Sequence, residues 1–203
     1  MRILITGADT DLGKELCGGL DELGELLPVG WSGGASVAGY ARIDLGDPKA
    51  VGACLQGVDA IVHAQPYDPE AVRSEETELL DRLARGSYVL ATEAIGAGIE
   101  RIVMVGNLDV LDAYPEDYRL CPQFRPRPRP DAAGLAPFLA ELTCREIART
   151  GRLEAVCLRM GGLGDPNGTA RTAAVESVKE ALTGELPKDY SWDLRHVSSD
   201  PRY

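Results

Sequence analysis

Apolar residues in this chain fall into short solid blocks separated by helical stripes. Ile3, Leu4 and Ile5 make an unbroken run, as in a strand covered on both faces. Leu12, Leu16, Leu20 and Leu23 then recur at three- and four-residue spacing, one face of a helix. Between them Gly7-Ala8-Asp9-Thr10-Asp11-Leu12-Gly13 reads as a tight turn. The alternation continues down the chain. Strands are predicted over 26–31, 58–65, 101–105 and 155–159. A helix through Val51 and Leu55 starts with Asp47 as cap and Pro48 at its first position. A second, over 70–98, presents Leu79, Leu80, Leu83, Leu90 and Ile95, and Gly96-Ala97-Gly98 ends it. A third runs from Asp131 through Leu135, Leu139 and Ile147 to Gly151, and a last one covers 173–182.

Strands that alternate with helices predict a doubly wound α/β fold of Rossmann type, its sheet mostly parallel and covered on both faces. No repeat or linker interrupts the 203 residues, so one domain over 1–203 is expected. In the opening strand–turn–helix, backbone N–H groups and a helix N-terminus face a phosphate-sized space.

A net charge of −11 argues against nucleic acid or an anionic membrane as partner. Five widely spaced cysteines without a C-x-x-C suit buried thiols in a reducing cytoplasm. His63 and His196 are the two histidines, far apart and without partners at ligand spacing, so no metal site is expected. No apolar run reaches membrane-spanning length and no leader precedes the first strand, which predicts a cytoplasmic, soluble protein.

Thr6-Gly7-x-x-Thr10-x-x-Gly13 resembles the T-G-x-x-G-x-x-G turn of the extended short-chain dehydrogenase/reductase family, the NAD-dependent epimerases and dehydratases. Thr10 replaces the middle glycine with a stiff β-branched residue, and Asp9 and Asp11 bring negative charge beside a pyrophosphate position. Asp44-Leu45-Gly46-Asp47 is similar to the family's D-[LI]-x-D, and 58–65 to its G-V-D-x-V-[IV]-H-x-A-A segment, with His63 a packed, hydrogen-bonded histidine. Gly86-Ser87 resembles N-V-x-G-T, with Leu83 in place of the asparagine. The resemblance covers 1–165. Residues 166–203 read as a truncated remnant of a substrate-binding portion, in which 195–200 is similar to H-V-x-D.

The resemblance implies a dinucleotide site made by Gly7, Thr10, Asp11, Leu12, Gly13, Ser32, Asp44, Leu45, Ala64 and Gln65. The ligand would be NAD or NADP, weakened by Thr10. Neither is selected, because Gly30-Trp31-Ser32-Gly33-Gly34 offers no acid or arginine after the second strand and reads better as a flexible Gly-rich loop.

The family transfers hydride with a Tyr, a Lys four residues later and a Ser or Thr, the four-residue step placing Tyr and Lys on one helix face. Anchoring on Arg159 and on Glu146 as the last residue of Y-x-x-x-K-x-x-x-E puts Phe138 and Leu142 at Tyr and Lys, and Gly106-Asn107 at the serines. Independently, none of the seven tyrosines has a lysine four positions on. Tyr114 or Tyr118, with Arg145 nearby, are the available substitutes. The run 125–130 of alternating Arg and Pro reads as a cationic wall for a phosphorylated ligand or as an extended lead-in to the next helix.

The expectation is a catalytically degenerate relative acting as a ligand-binding or interaction module. The alternatives are an active oxidoreductase or epimerase with substitute acids, and a dinucleotide sensor. The resemblance further implies a homodimer through the helices near 75–97 and 131–150, with Leu79, Leu80, Leu83, Leu135 and Leu139 at hand.

Overall fold

The structure is a computed structural model that describes residues 1–64, 76–186 and 191–203. Strand β1 (Arg2–Thr6) leads through the glycine turn into helix α1 (Asp11–Gly19), and β2 (Glu25–Gly30) follows. Next come β3 (Ala41–Arg42), α2 (Pro48–Cys54) and β4 (Ala60–His63). Helices α3 (Glu76–Leu80) and α4 (Gly86–Gly96) are joined by a π turn over Asp81–Arg85. Strand β5 (Arg101–Asn107), α5 (Ala132–Ala148), β6 (Glu154–Met160), α6 (Arg171–Thr183) and β7 (Trp192–Val197) complete the described chain.

The strands form one sheet in the order β3-β2-β1-β4-β5-β6-β7, every neighbouring pair parallel. The period-2 alternation of strands sorts the core into two layers. Ile3 and Ile5 pack with Leu12, Leu16 and Leu20 of α1 and Val178 of α6 on one face. Leu4, Ile61 and Ile102 pack with Val51, Leu55 and Leu90 on the other. Each such leucine contributes about 1.5–3 kcal/mol on leaving water. The doubly wound reading therefore stands.

Two strands escape the sequence pattern. β3 is only two residues long, and β7 alternates Trp192, Leu194 and His196 with charged neighbours at the sheet edge. In β7, Arg159 of β6 lies opposite His196. The residues read as a remnant thus complete the sheet. The helix expected over 70–98 is described from Glu76 onward, and residues 70–75 of that expectation lie outside the described residues. Among the described residues no helix is long and apolar enough to cross a membrane.

The winding reverses between β1 and β4, so the loops after these strands diverge and leave a crevice at their C-terminal ends.

Candidate functional site

A cleft of about 1130 Å³ occupies this switch point. Its floor is the first turn, its walls the end of β5, the cleft side of α5 and Met160-Gly161-Gly162 after β6.

Gly7 turns the chain at φ 67°, a conformation that favours glycine. Gly13 lets α1 approach the strand, since a Cβ there would lie 2.0 Å from the Gly7 carbonyl oxygen. Thr10 sits at φ −90°, ψ 166°, ordinary extended backbone, so the stiffness expected to strain the turn causes none. Its hydroxyl donates to the Gly7 carbonyl at 2.7 Å and accepts from the Gly13 N–H at 3.1 Å, capping α1. The N–H groups of Asp11 and Leu12 find no acceptor among the described residues and stay available at the open end of the helix. Gly7, Thr10, Asp11 and Leu12 line the cleft, while Gly13 supports them from behind.

The loop after β2 contributes Trp31 and Ser32. Ser32 is held by its backbone, the N–H on Asp9 Oδ2 at 2.7 Å and the carbonyl taking the Tyr40 hydroxyl at 2.8 Å. Asp44, Leu45 and Ala64, expected at the ligand, do not line the cleft. Asp44 folds back on the Gly46 N–H at 2.8 Å, and Leu45 and Ala64 are buried in the core. Gln65 lies outside the described residues.

His63 is buried beneath the cleft, with Nδ1 2.8 Å from the Thr6 hydroxyl and Nε2 2.8 Å from the Ser87 hydroxyl. Ser87 donates to the Leu83 carbonyl, so it accepts from Nε2–H and leaves Nδ1 to accept from Thr6. Burial brings the ring's pKa down to about 4, which keeps this neutral tautomer. The packed histidine read from the sequence is what the fold contains.

On α5 the side chains that line the cleft are not the two that the sequence reading set at the family's catalytic positions. The acid that meets Arg159 is Glu141, by hydrogen bonds of 2.8 and 2.6 Å. Glu146 lies on the exposed side with Arg145 and Arg149. Counting back eight and four from Glu141 gives Ala133 and Pro137, and both line the cleft. Phe138 and Leu142 do not line it, and Phe138 packs against the cluster of Leu108, Leu111, Tyr114 and Leu120. Asn107 lines the cleft with its amide engaged by Asp109 at 3.0 Å, and beside it a Cβ on Gly106 would come within 2.9 Å of Cys157 Sγ.

Neither substitute tyrosine reaches the cleft. Tyr114 is 9% exposed and gives its hydroxyl to the Arg125 carbonyl at 2.9 Å, under the Arg127 guanidinium. Tyr118 is 48% exposed on the outside, and Arg145 is taken up by Glu146. Of the Arg-Pro run only Arg129 lines the cleft, 3.3 Å from Asp131. Sequence reading missed Asp109 and Asp112, on the turn after β5, which line the cleft as well. Burial, and then the charge of Asp109, raise the Asp112 carboxyl above its ordinary range. Among the described residues no group of three His, Cys, Asp or Glu stands together as metal ligands.

No protein-family model matches the sequence. Uronate dehydrogenase of Agrobacterium fabrum is 30% identical over 131 residues, 63% of this chain and 48% of that protein. The chain thus spans about half the length of this curated relative. Crystalline uronate dehydrogenase from Agrobacterium tumefaciens matches 98% of this chain with 76% of its own, at 24% identity and a TM-score of 0.84. MoeE5, solved with UDP-glucuronic acid and NAD, does so with 76% of its chain at 17% identity and a TM-score of 0.78. The sequence match and the shared fold together bear out the resemblance to the extended short-chain dehydrogenases/reductases, the NAD-dependent epimerase and dehydratase family.

Proposed function

We propose that the chain is a member of that family which holds a nicotinamide dinucleotide in the switch-point cleft without the acid–base pair that turns it over, and so works as a ligand-binding module. The chain's own residues fit such a ligand. The positive-φ Gly7, the close approach at Gly13 and the open N–H groups of Asp11 and Leu12 suit a pyrophosphate. A bound nicotinamide supplies hydride chemistry, and what the protein must add is a proton donor and a cation to tune it.

One observation carries the degenerate reading. Ala133 and Pro137 stand one helical turn apart on the cleft wall, counted from the acid that holds Arg159. Alanine has no proton to give and proline no charge. The test is titration with NADH followed by its fluorescence, then a search for nicotinamide turnover with uronic acids and sugar nucleotides. Saturable binding without turnover supports the reading.

The rival, an active oxidoreductase or epimerase with substitute acids, has Asp112 in its favour, a carboxyl in the cleft that holds its proton above the usual range. Turnover that disappears in Asp112→Asn would replace the first reading with this one.

The partner in solution is a second copy, paired through α3–α4 and α5. Leu79 and Leu83 are already buried within one chain, which leaves Leu80, Leu135, Leu139 and the 55%-exposed Tyr88 to form the contact. Light scattering should give twice the mass of one chain, and a monomer in micromolar solution would end this assignment. The five thiols are free, with Cys144 and Cys157 buried as expected and Cys121 exposed instead, and they fit a reducing, cytoplasmic setting.

A further inference from the structure

Strand β2 ends without a carboxylate of its own, yet a carboxylate is there. Asp9 reaches across from the first turn, and its Oδ2 accepts from the Trp31 N–H at 3.0 Å and the Ser32 N–H at 2.7 Å. Gly30 makes room for it, since a Cβ at that position would lie 2.1 Å from Asp9 Oδ1. Two charge-assisted hydrogen bonds to a strand end fix the group in place, and it lines the cleft. The end of this strand is where the adenosine ribose lies in dinucleotide-binding α/β folds.

We infer that Asp9 makes the cleft selective for NAD(H) over NADP(H), an assignment that rests on the dinucleotide reading above. A ribose 2′-hydroxyl donates a hydrogen bond to a carboxylate, whereas a 2′-phosphate brings like charge against it. Two cations stand close enough to matter. Arg82 lies 4.4 Å over the Trp31 ring and Arg42 5.7 Å from it. Arg82 is already faced by Glu78 at 4.0 Å and by the charges of Asp9 and Asp44, so the surroundings of Trp31 carry no surplus of positive charge. The acid expected on β2 is therefore supplied by the turn before α1, at a position where sequence spacing gives no hint of it.

The test compares dissociation constants of NADH and NADPH, read from nicotinamide fluorescence and from energy transfer out of the protein's tryptophans. The intact protein should hold NADH about tenfold more tightly than NADPH or better. Asp9→Asn keeps an acceptor for the two N–H groups and removes the charge, and it should bring the two constants within about threefold of each other. Without any variant, raising the salt from about 0.02 to 0.5 M should narrow the gap in the native protein. Equal or tighter binding of NADPH to the native protein overturns the assignment, and so does a preference unchanged by both Asp9→Asn and salt. Binding of neither nucleotide overturns the dinucleotide reading itself, and the role of Asp9 with it.

Discussion

Glu141 of α5 and Arg159 of β6 meet in the interior as a two-pronged ion pair, 4% and 1% exposed. The planar guanidinium matches the carboxylate with two parallel hydrogen bonds, which offsets the cost of taking both charges out of water. Removing one partner strands the other. Glu141→Gln is expected to lose about 3–5 kcal/mol of stability, and Glu141→Leu with Arg159→Met to recover most of it. Urea unfolding of the three proteins checks this, and a loss below 1 kcal/mol in Glu141→Gln would contradict it.

Acid should weaken the fold through His63. Its folded pKa of about 4 lies below the unfolded 6.5, so protons favour the unfolded chain. The stabilisation is fully present above about pH 6.5 and is lost as pH falls through 4. For this buried ring the full effect is about 3 kcal/mol. His196 is depressed in the same direction, by burial and then by the charge of Arg159. Urea midpoints between pH 7.5 and 4 should fall steeply in the native protein and less steeply in His63→Gln.

Thr10 holds the end of α1 by its own hydroxyl, so Thr10→Val should cost about 1 kcal/mol. Thr10→Gly should cost stability as well, but it frees the Gly13 N–H for an anion and is expected to raise NADH affinity several-fold. Parallel unfolding and fluorescence titrations separate the two effects. Gly13→Ala has no such compensation. It drives a methyl into the Gly7 carbonyl and should lose about 1–3 kcal/mol together with NADH binding.

Ala133→Tyr with Pro137→Lys rebuilds a Tyr-x-x-x-Lys pair on the cleft wall. The new phenol is expected to titrate well below its ordinary value under the lysine charge, visible as ultraviolet absorbance of tyrosinate near neutral pH. The pair placed instead at Phe138 and Leu142, where neither side chain lines the cleft, should show no such change.

What could be read in advance was local. The opening turn, the caps Asp47 and Asp131 and the apolar periods each depend on neighbours a few residues away, and the structure contains them. Which side of α5 faces the cleft has a different origin. Glu141 and Glu146 lie on one helix five residues apart, and only the third dimension decides which meets a residue on β6. Asp9 is the same case: it is next to Thr10 in sequence, but its carboxylate serves the end of another strand. β3 and β7 were hard to see because a two-residue strand and an edge strand carry little periodic signal.

Pro137 sits inside α5 and has no N–H to hand back to the Ala133 carbonyl one turn earlier. Where the resemblance implies an ammonium, this wall therefore carries a pyrrolidine ring that neither donates a hydrogen bond nor holds a charge. A guest seated against this stretch of α5 meets no side chain able to protonate it, so a bare carbonyl compound would depend on groups elsewhere on the cleft rim.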